Sequence, residues 1–238
     1  DLDIGMNDWM TEAFSWDDSH VHDRGKVLDA EGLEAMADWG RYKDADGDGI
    51  PYRTLPGAHE TRGAYFTRGT SHDEYARYTE DGRIHARVLE RISRKFETAA
   101  EILPKPVVSR NEGGSKRAMV YFGATRPAVL EAIDELAAQG HVVDSMRITS
   151  FPFAQDVCDF IDNYDEVIVI EQNRDSQLRT LLMAEFEFGP DKLKSVLCFD
   201  GTPISARNIR KQIKAHLNGD NVTPLHRNIV ASGAGDNQ

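Results

Sequence analysis

The chain has 238 residues, 40% of them hydrophobic, and a formal net charge of −12 from 40 Asp and Glu against 28 Lys and Arg. That length allows one large or two ordinary domains with a real core, while the acidic balance argues against a nucleic-acid partner or an anionic membrane surface. No apolar run approaches the roughly 20 residues of a membrane span, and the N-terminus lacks the basic and apolar regions of a signal peptide, so the expected setting is cytoplasmic.

In chain order, the first hundred residues are rich in Asp, Gly, Tyr and His, with long loops. A short helix is expected over Ala30 to Gly40 and a long one over Gly82 to Leu103. Pro104-Lys105-Pro106 and Arg110 to Lys116 read as a join, making 104–117 a linker. From there the pattern alternates regularly. Strands are expected at Ala118 to Phe122, Val142 to Ile148, Glu166 to Glu171 and Ser195 to Phe199. Helices are expected at Pro127 to Gln139, Phe153 to Asp162, about Ser176 to Glu187, and Ala206 to Leu217. Apolar strands such as Glu166 to Glu171 belong to a sheet buried on both faces, so 118–217 is an α/β domain with a mainly parallel sheet, and 218–238 reads as a mobile tail.

The stretch from Asp44 to Gly57 invites three readings. Asp44, Asp46, Asp48 and Gly49 occupy positions 1, 3, 5 and 6 of a calcium loop, but position 12, which needs a bidentate glutamate, is Leu55. Gly47-Asp48-Gly49 also opens like the motif that holds magnesium and the pyrophosphate of thiamine diphosphate. That motif closes with an asparagine roughly 25 to 30 residues on, as a second oxygen ligand, and the chain has none between Asn7 and Asn111. The third reading is a turn that presents Arg53, whose planar fork of donors suits a carboxylate. An arginine that ties down its own loop through carbonyls or Asp48 fits the same residues.

Other candidates carry less. His20 and His22 beside Asp23 have no convincing third ligand for a metal, and His72-Asp73-Glu74 reads as a loop or helix cap. Gln172-Asn173-Arg174-Asp175-Ser176-Gln177 follows a strand, where open α/β sheets gather ligands, although capping by Asp175 or Asn173 explains the same polarity. Cys158 and Cys198 are too few for an iron–sulfur cluster, which takes about four thiolates. No nucleophile elbow or phosphate loop is present.

Asp3 to Trp9, Gly47 to Gly57, Ala64 to Gly69, His72 to Tyr75 and Glu171 to Asp175 together resemble the alpha subunit of 2-oxoacid:ferredoxin oxidoreductases, especially the 2-oxoglutarate enzymes, over about residues 1 to 217. The resemblance implies that 1–103 is the C-terminal part of a domain binding the thiamine pyrimidine ring and that 118–217 is a transketolase C-terminal-like domain. It implies oxidative decarboxylation of a 2-oxoacid with coenzyme A, electrons passing through an iron–sulfur cluster to ferredoxin. Thiamine diphosphate, magnesium and the cluster would belong to the assembled enzyme with its beta subunit, none being held by this chain alone. The glutamate that activates the cofactor is expected upstream of Asp1. By the same resemblance Arg53 binds the substrate carboxylate, with Ala58 and Asp175 as pocket neighbours. Ala58 stands where a Thr is expected, which puts the substrate preference in doubt.

Overall fold

The computed structural model describes residues 17–19, 21, 23–67 and 71–217, which divide into two units, one ending at Leu103 and one beginning at Pro104. The expectations for His20, His22, Asp3 to Trp9, Arg68 to Thr70 and the tail lie outside the described residues.

In the second unit, strands β3 (Val107–Ser109), β4 (Arg117–Phe122), β5 (Asp144–Ile148), β6 (Glu166–Glu171) and β7 (Leu193–Leu197) form one sheet. Their order is β3-β5-β4-β6-β7, with β3 antiparallel and every other pairing parallel. The helices that complete this unit are α3 (Arg126–Ala137), α4 (Gln155–Asp162), α5 (Gln177–Phe186) and α6 (Ala206–Leu217). Strand alternation sorts the core into two layers. Val120, Met146, Val167 and Val169 pack with Phe160 of α4 and Leu182 of α5, whereas Met119, Tyr121, Ile168 and Ile170 pack with Leu136 of α3 and Ile213 of α6. The sheet is therefore covered on both faces, as the continuous apolar strands require.

Element types match the expectations, and bounds shift. The last strand runs from Leu193 to Leu197 rather than Ser195 to Phe199, because its register follows Val167 to Glu171 of β6. Strand β3 was not legible. Its Val107 and Val108 are exposed, and three residues between two prolines and a polar run give no period to read. On the far side, the outer edge of β7 is met by side chains instead of a strand. The Gln212 amide stands in for a peptide group, accepting from Leu197 N (3.3 Å) and donating to Leu197 O (3.1 Å). Arg179 Nε donates to Leu193 O at 2.8 Å. Filling these backbone groups blunts an edge open to pairing with another chain.

A buried polar cluster joins β5 to its surroundings. Asp144 is 4% exposed; its Oδ1 accepts from Asn111 N (2.8 Å) and Nδ2 (2.9 Å), and its Oδ2 from the Tyr164 hydroxyl (2.8 Å). Burial pushes the Asp144 carboxyl up, but the Asn111 and Tyr164 hydrogen bonds outweigh it and leave it below its ordinary value. Burial, then the Asp144 hydrogen bond, pushes Tyr164 up to about 12. A lowered carboxyl contributes stability above its unfolded pKa and loses it as pH falls through the folded value; a raised phenol contributes below its unfolded pKa and loses it as pH rises toward 12. The cluster should thus stabilise fully between about pH 4 and pH 10. Asp144→Asn should lower the unfolding midpoint at pH 7 and lose that deficit progressively below about pH 4. Urea titrations at several pH values check this, and a deficit independent of pH would contradict it.

The first unit is built differently. It contains β1 (Val27–Leu28), α1 (Ala30–Ala35), β2 (Arg53–Thr54) and α2 (Gly82–Ile102), with β1 and β2 paired in parallel. Among its described residues only Leu33, Ala76 and Val88 are buried hydrophobics. Helix α1 stops well before the expected Gly40; its last carbonyl neighbourhood is taken by Arg62, whose Nη2 donates to Met36 O at 2.7 Å. Polar ties replace core over much of this unit.

Candidate functional site

The acidic loop lies against α2. Gly49 has φ +78°, and a Cβ there would collide with Lys95 N and sit 2.8 Å from Arg91 O, so only glycine fits. Arg91 Nη1 donates to Gly49 O (3.0 Å) and Thr98 Oγ1 to Asp48 O (2.6 Å). The loop's carboxylates are met by the protein's own cations and amides. Asp44 pairs with Arg94 at 3.3 Å and accepts from Gly47 N, while Lys26 Nζ contacts Asp46 (2.7 Å), Asp48 (2.6 Å) and Ile50 O (3.1 Å). Burial pulls the Lys26 ammonium down, but Asp46 and Asp48 more than offset it and raise it above its usual value.

Lys26, rather than Arg53, therefore ties the loop. Arg53 sits in β2, its N–H donating to Lys26 O at 2.8 Å. Tyr52, the residue before β2, lies on the Lys26 side, the ammonium 5.3 Å from its ring centre. Among the described residues the Arg53 guanidinium has no hydrogen bond or ion pair, and its Nε is buried without a partner.

Beyond β2 the chain is fixed closely. Thr54 Oγ1 donates to Gly63 O at 2.6 Å. Ala58 N donates to Leu55 O at 3.1 Å, closing a type II turn over Pro56 and Gly57, whose φ is +79°. His59 Nδ1 accepts from the amides of Thr61 and Arg62, so its proton sits on Nε2 and is donated to Glu34 Oε1 at 2.6 Å. That hydrogen bond holds the Glu34 carboxyl below its usual value. Arg53 and Ala58 thus flank one rigid turn, with Ala58 half-buried. Neither Lys26 nor His59 was singled out from sequence; each acts on residues about 20 or more positions away along the chain.

Asp175 belongs to the second unit. It lies in the turn after β6, exposed, its carboxylate paired with Arg174 at 2.8 Å. Capping of α5 falls to other residues. Asn173 Oδ1 accepts from the amides of Asp175 and Gln177. Glu171, fully buried, accepts from Leu178 N (2.7 Å), Arg179 N (3.0 Å) and Asn173 Nδ2 (2.7 Å). Gln172 Nε2 reaches Thr125 Oγ1 at 3.4 Å, bridging the loops after β4 and β6, where the strand order reverses and open sheets place ligands. At this carboxyl end, a cleft of 490 Å³ is walled by Phe122, Ile148, Phe151, Phe153 and Leu178. His72 and Asp73 lie in a loop, His72 stacked 4.0 Å from Tyr42 and Asp73 accepting from the amides of Tyr75 and Arg77.

Among the described residues no group of three or more His, Cys, Asp or Glu is arranged to hold a metal ion. Nor is any of their helices long and apolar enough to cross a membrane.

No family model matches the chain. It is 29% identical over 215 residues to the alpha subunit of 2-oxoacid:ferredoxin oxidoreductase 2 of Aeropyrum pernix, covering 89% of this chain and 31% of that protein. It is 26% identical over 163 residues to the 2-oxoacid:ferredoxin oxidoreductase alpha subunit of Saccharolobus solfataricus, covering 66% of this chain and 26% of that one. Among solved structures, the 2-oxoglutarate:ferredoxin oxidoreductase of Magnetococcus marinus, with 2-oxoglutarate, coenzyme A and succinyl-CoA bound, superposes with a TM-score of 0.67 at 23% identity. The match takes in 81% of this chain and 32% of that one. The chain spans about a third or less of the length of the curated relatives it matches. It resembles these alpha subunits in sequence and shares the fold of the Magnetococcus enzyme over the matched region.

Proposed function

We propose that the chain is the C-terminal portion of the alpha subunit of an enzyme that oxidatively decarboxylates a 2-oxoacid with coenzyme A and reduces ferredoxin. The observation that carries this reading is Arg53, whose guanidinium, two residues before the Leu55–Ala58 turn, no described residue engages, in a chain whose relatives bear that enzyme's name. A bidentate guanidinium suits the carboxylate common to all 2-oxoacids. Ala58 is proposed as the pocket neighbour of Arg53, and Asp175 as a separate substrate-binding residue. The thin core of the first unit supports its being the end of a larger pyrimidine-binding-type domain, and a beta subunit would complete the assembly.

The thiamine diphosphate, magnesium and iron–sulfur cluster implied by the resemblance are proposed to be held elsewhere in the assembly, two cysteines falling short of the four thiolates that a cluster takes. The cofactor chemistry is accordingly assigned to the rest of the assembly, and this chain's part is to bind and orient the oxoacid. 2-Oxoglutarate is the proposed substrate, pyruvate and branched 2-oxoacids being the alternatives. Asp46 and Asp48 held by Lys26 weigh against a calcium module.

Co-expression of the full subunit with a beta partner should yield coenzyme-A-dependent reduction of ferredoxin or a dye, with kcat/KM highest for 2-oxoglutarate. Reduction by none of the three oxoacid classes would refute the reading, and a preference for another would move the substrate alone.

A further inference from the structure

We propose that Lys26 is the positioning residue of Arg53, acting as a clamp that closes the acidic loop and sets where β2 begins. The inference rests on Arg53 being the carboxylate-binding group. Three carboxylates lie within five residues, from Asp44 to Asp48, and neighbouring like charges drive such a loop apart. Asp44 has Arg94. For Asp46 and Asp48, the cation within ion-pair distance among the described residues is Lys26, at 2.7 and 2.6 Å.

The same residue reaches Arg53 through its backbone. Lys26 O accepts the Arg53 N–H at 2.8 Å, and the register that follows sets Val27 beside Arg53. One residue thus joins the loop before β2 to the strand beside it. With its ammonium also on Ile50 O at 3.1 Å, it holds both the entry to β2 and its partner. The ammonium also lies 5.3 Å from the ring centre of Tyr52, the residue before Arg53. Removing the ammonium leaves Arg53 chemically intact but lets the two-residue β1–β2 pair shift. Displacements near 1 Å suffice to weaken a bidentate contact.

The test uses the full alpha subunit assembled with its beta partner and 2-oxoglutarate as substrate. Lys26→Met is expected to raise KM about tenfold, and Lys26→Arg to recover most of that loss. The double variant Lys26→Met/Arg53→Ala should match Arg53→Ala alone, because a residue acting through Arg53 has nothing left to position. Should Lys26→Met fail to assemble, Asp46→Asn/Asp48→Asn breaks the clamp from its other side while keeping side-chain shape, and should raise KM in the same direction. A parental KM in the broken-clamp variant overturns the inference, as does a double variant whose KM rise is the product of the two single effects. If Arg53→Ala itself leaves KM unchanged, the carboxylate reading fails and the inference falls with it. Arg53→Ala raising KM while the clamp variants do not removes the inference alone.

Discussion

Arg53→Ala is expected to raise the KM of the assembled enzyme for its 2-oxoacid roughly ten- to a hundredfold, the span that corresponds to losing charge-assisted hydrogen bonds of about 1.5–3 kcal/mol. The carboxylate common to 2-oxoacids is bonded to the reacting carbonyl carbon and leaves as carbon dioxide, so its contact with Arg53 is made in the bound substrate and changes as decarboxylation proceeds. Loss of that contact raises KM, and because the carboxylate leaves in the reaction kcat is free to change with it. Arg53→Lys should recover only part, since an ammonium keeps the charge without the planar fork. Stability should move little, within about 0.5 kcal/mol, because among the described residues the guanidinium supports no hydrogen bond or ion pair. Steady-state kinetics of the reconstituted enzyme beside thermal unfolding of the variant chain separates the outcomes. Unchanged KM and kcat would remove Arg53 from the site, and a large stability loss with an unchanged KM would make it a structural residue.

Glu171→Ala should be the most destabilising single change in the second unit, costing on the order of 3 kcal/mol and about 10 °C in Tm. The carboxylate ends β6 at zero exposure and accepts two N-terminal amides of α5 together with the Asn173 amide. Helix N-termini attract anions because their first amides lack intrahelical partners. Alanine would leave Leu178 N and Arg179 N short of acceptors inside the protein and free the 172–176 turn that carries Asp175. Glu171→Gln keeps one acceptor oxygen but turns an NH₂ toward a donor, so an intermediate loss is expected. Thermal unfolding followed by circular dichroism checks both, and a Tm within about 2 °C of the parent for the alanine variant would show that water replaces the carboxylate.

The regular half of the chain was readable because its signals are periodic. Val129, Ala132 and Leu136 at helical spacing, and the unbroken apolar run from Val167 to Ile170, mark elements that bury their faces against one sheet. Strand β3 escaped because an exposed edge of three residues needs no apolar pattern. In the first unit, glycines and prolines announced turns at Gly49 and Pro56-Gly57, both observed with positive φ at the glycine. Yet Asp48 remained an equally good local partner for Arg53, since composition cannot say which cation meets which carboxylate.

The amino-acid sequence by itself determined the α/β class, the order of strands and helices after Arg117, the turn beyond Arg53 and the family resemblance, all carried by short-range spacing and residue type. Tertiary structure decided what depends on distant residues coming together. Lys26 crosses about 20 residues to take Asp46 and Asp48, the Arg53 guanidinium has no hydrogen-bond or ion-pair partner among the described residues, and Glu171 rather than Asp175 or Asn173 alone holds the start of α5. A carboxylate's nearest cation is settled by loop packing in three dimensions, which is not written in local sequence.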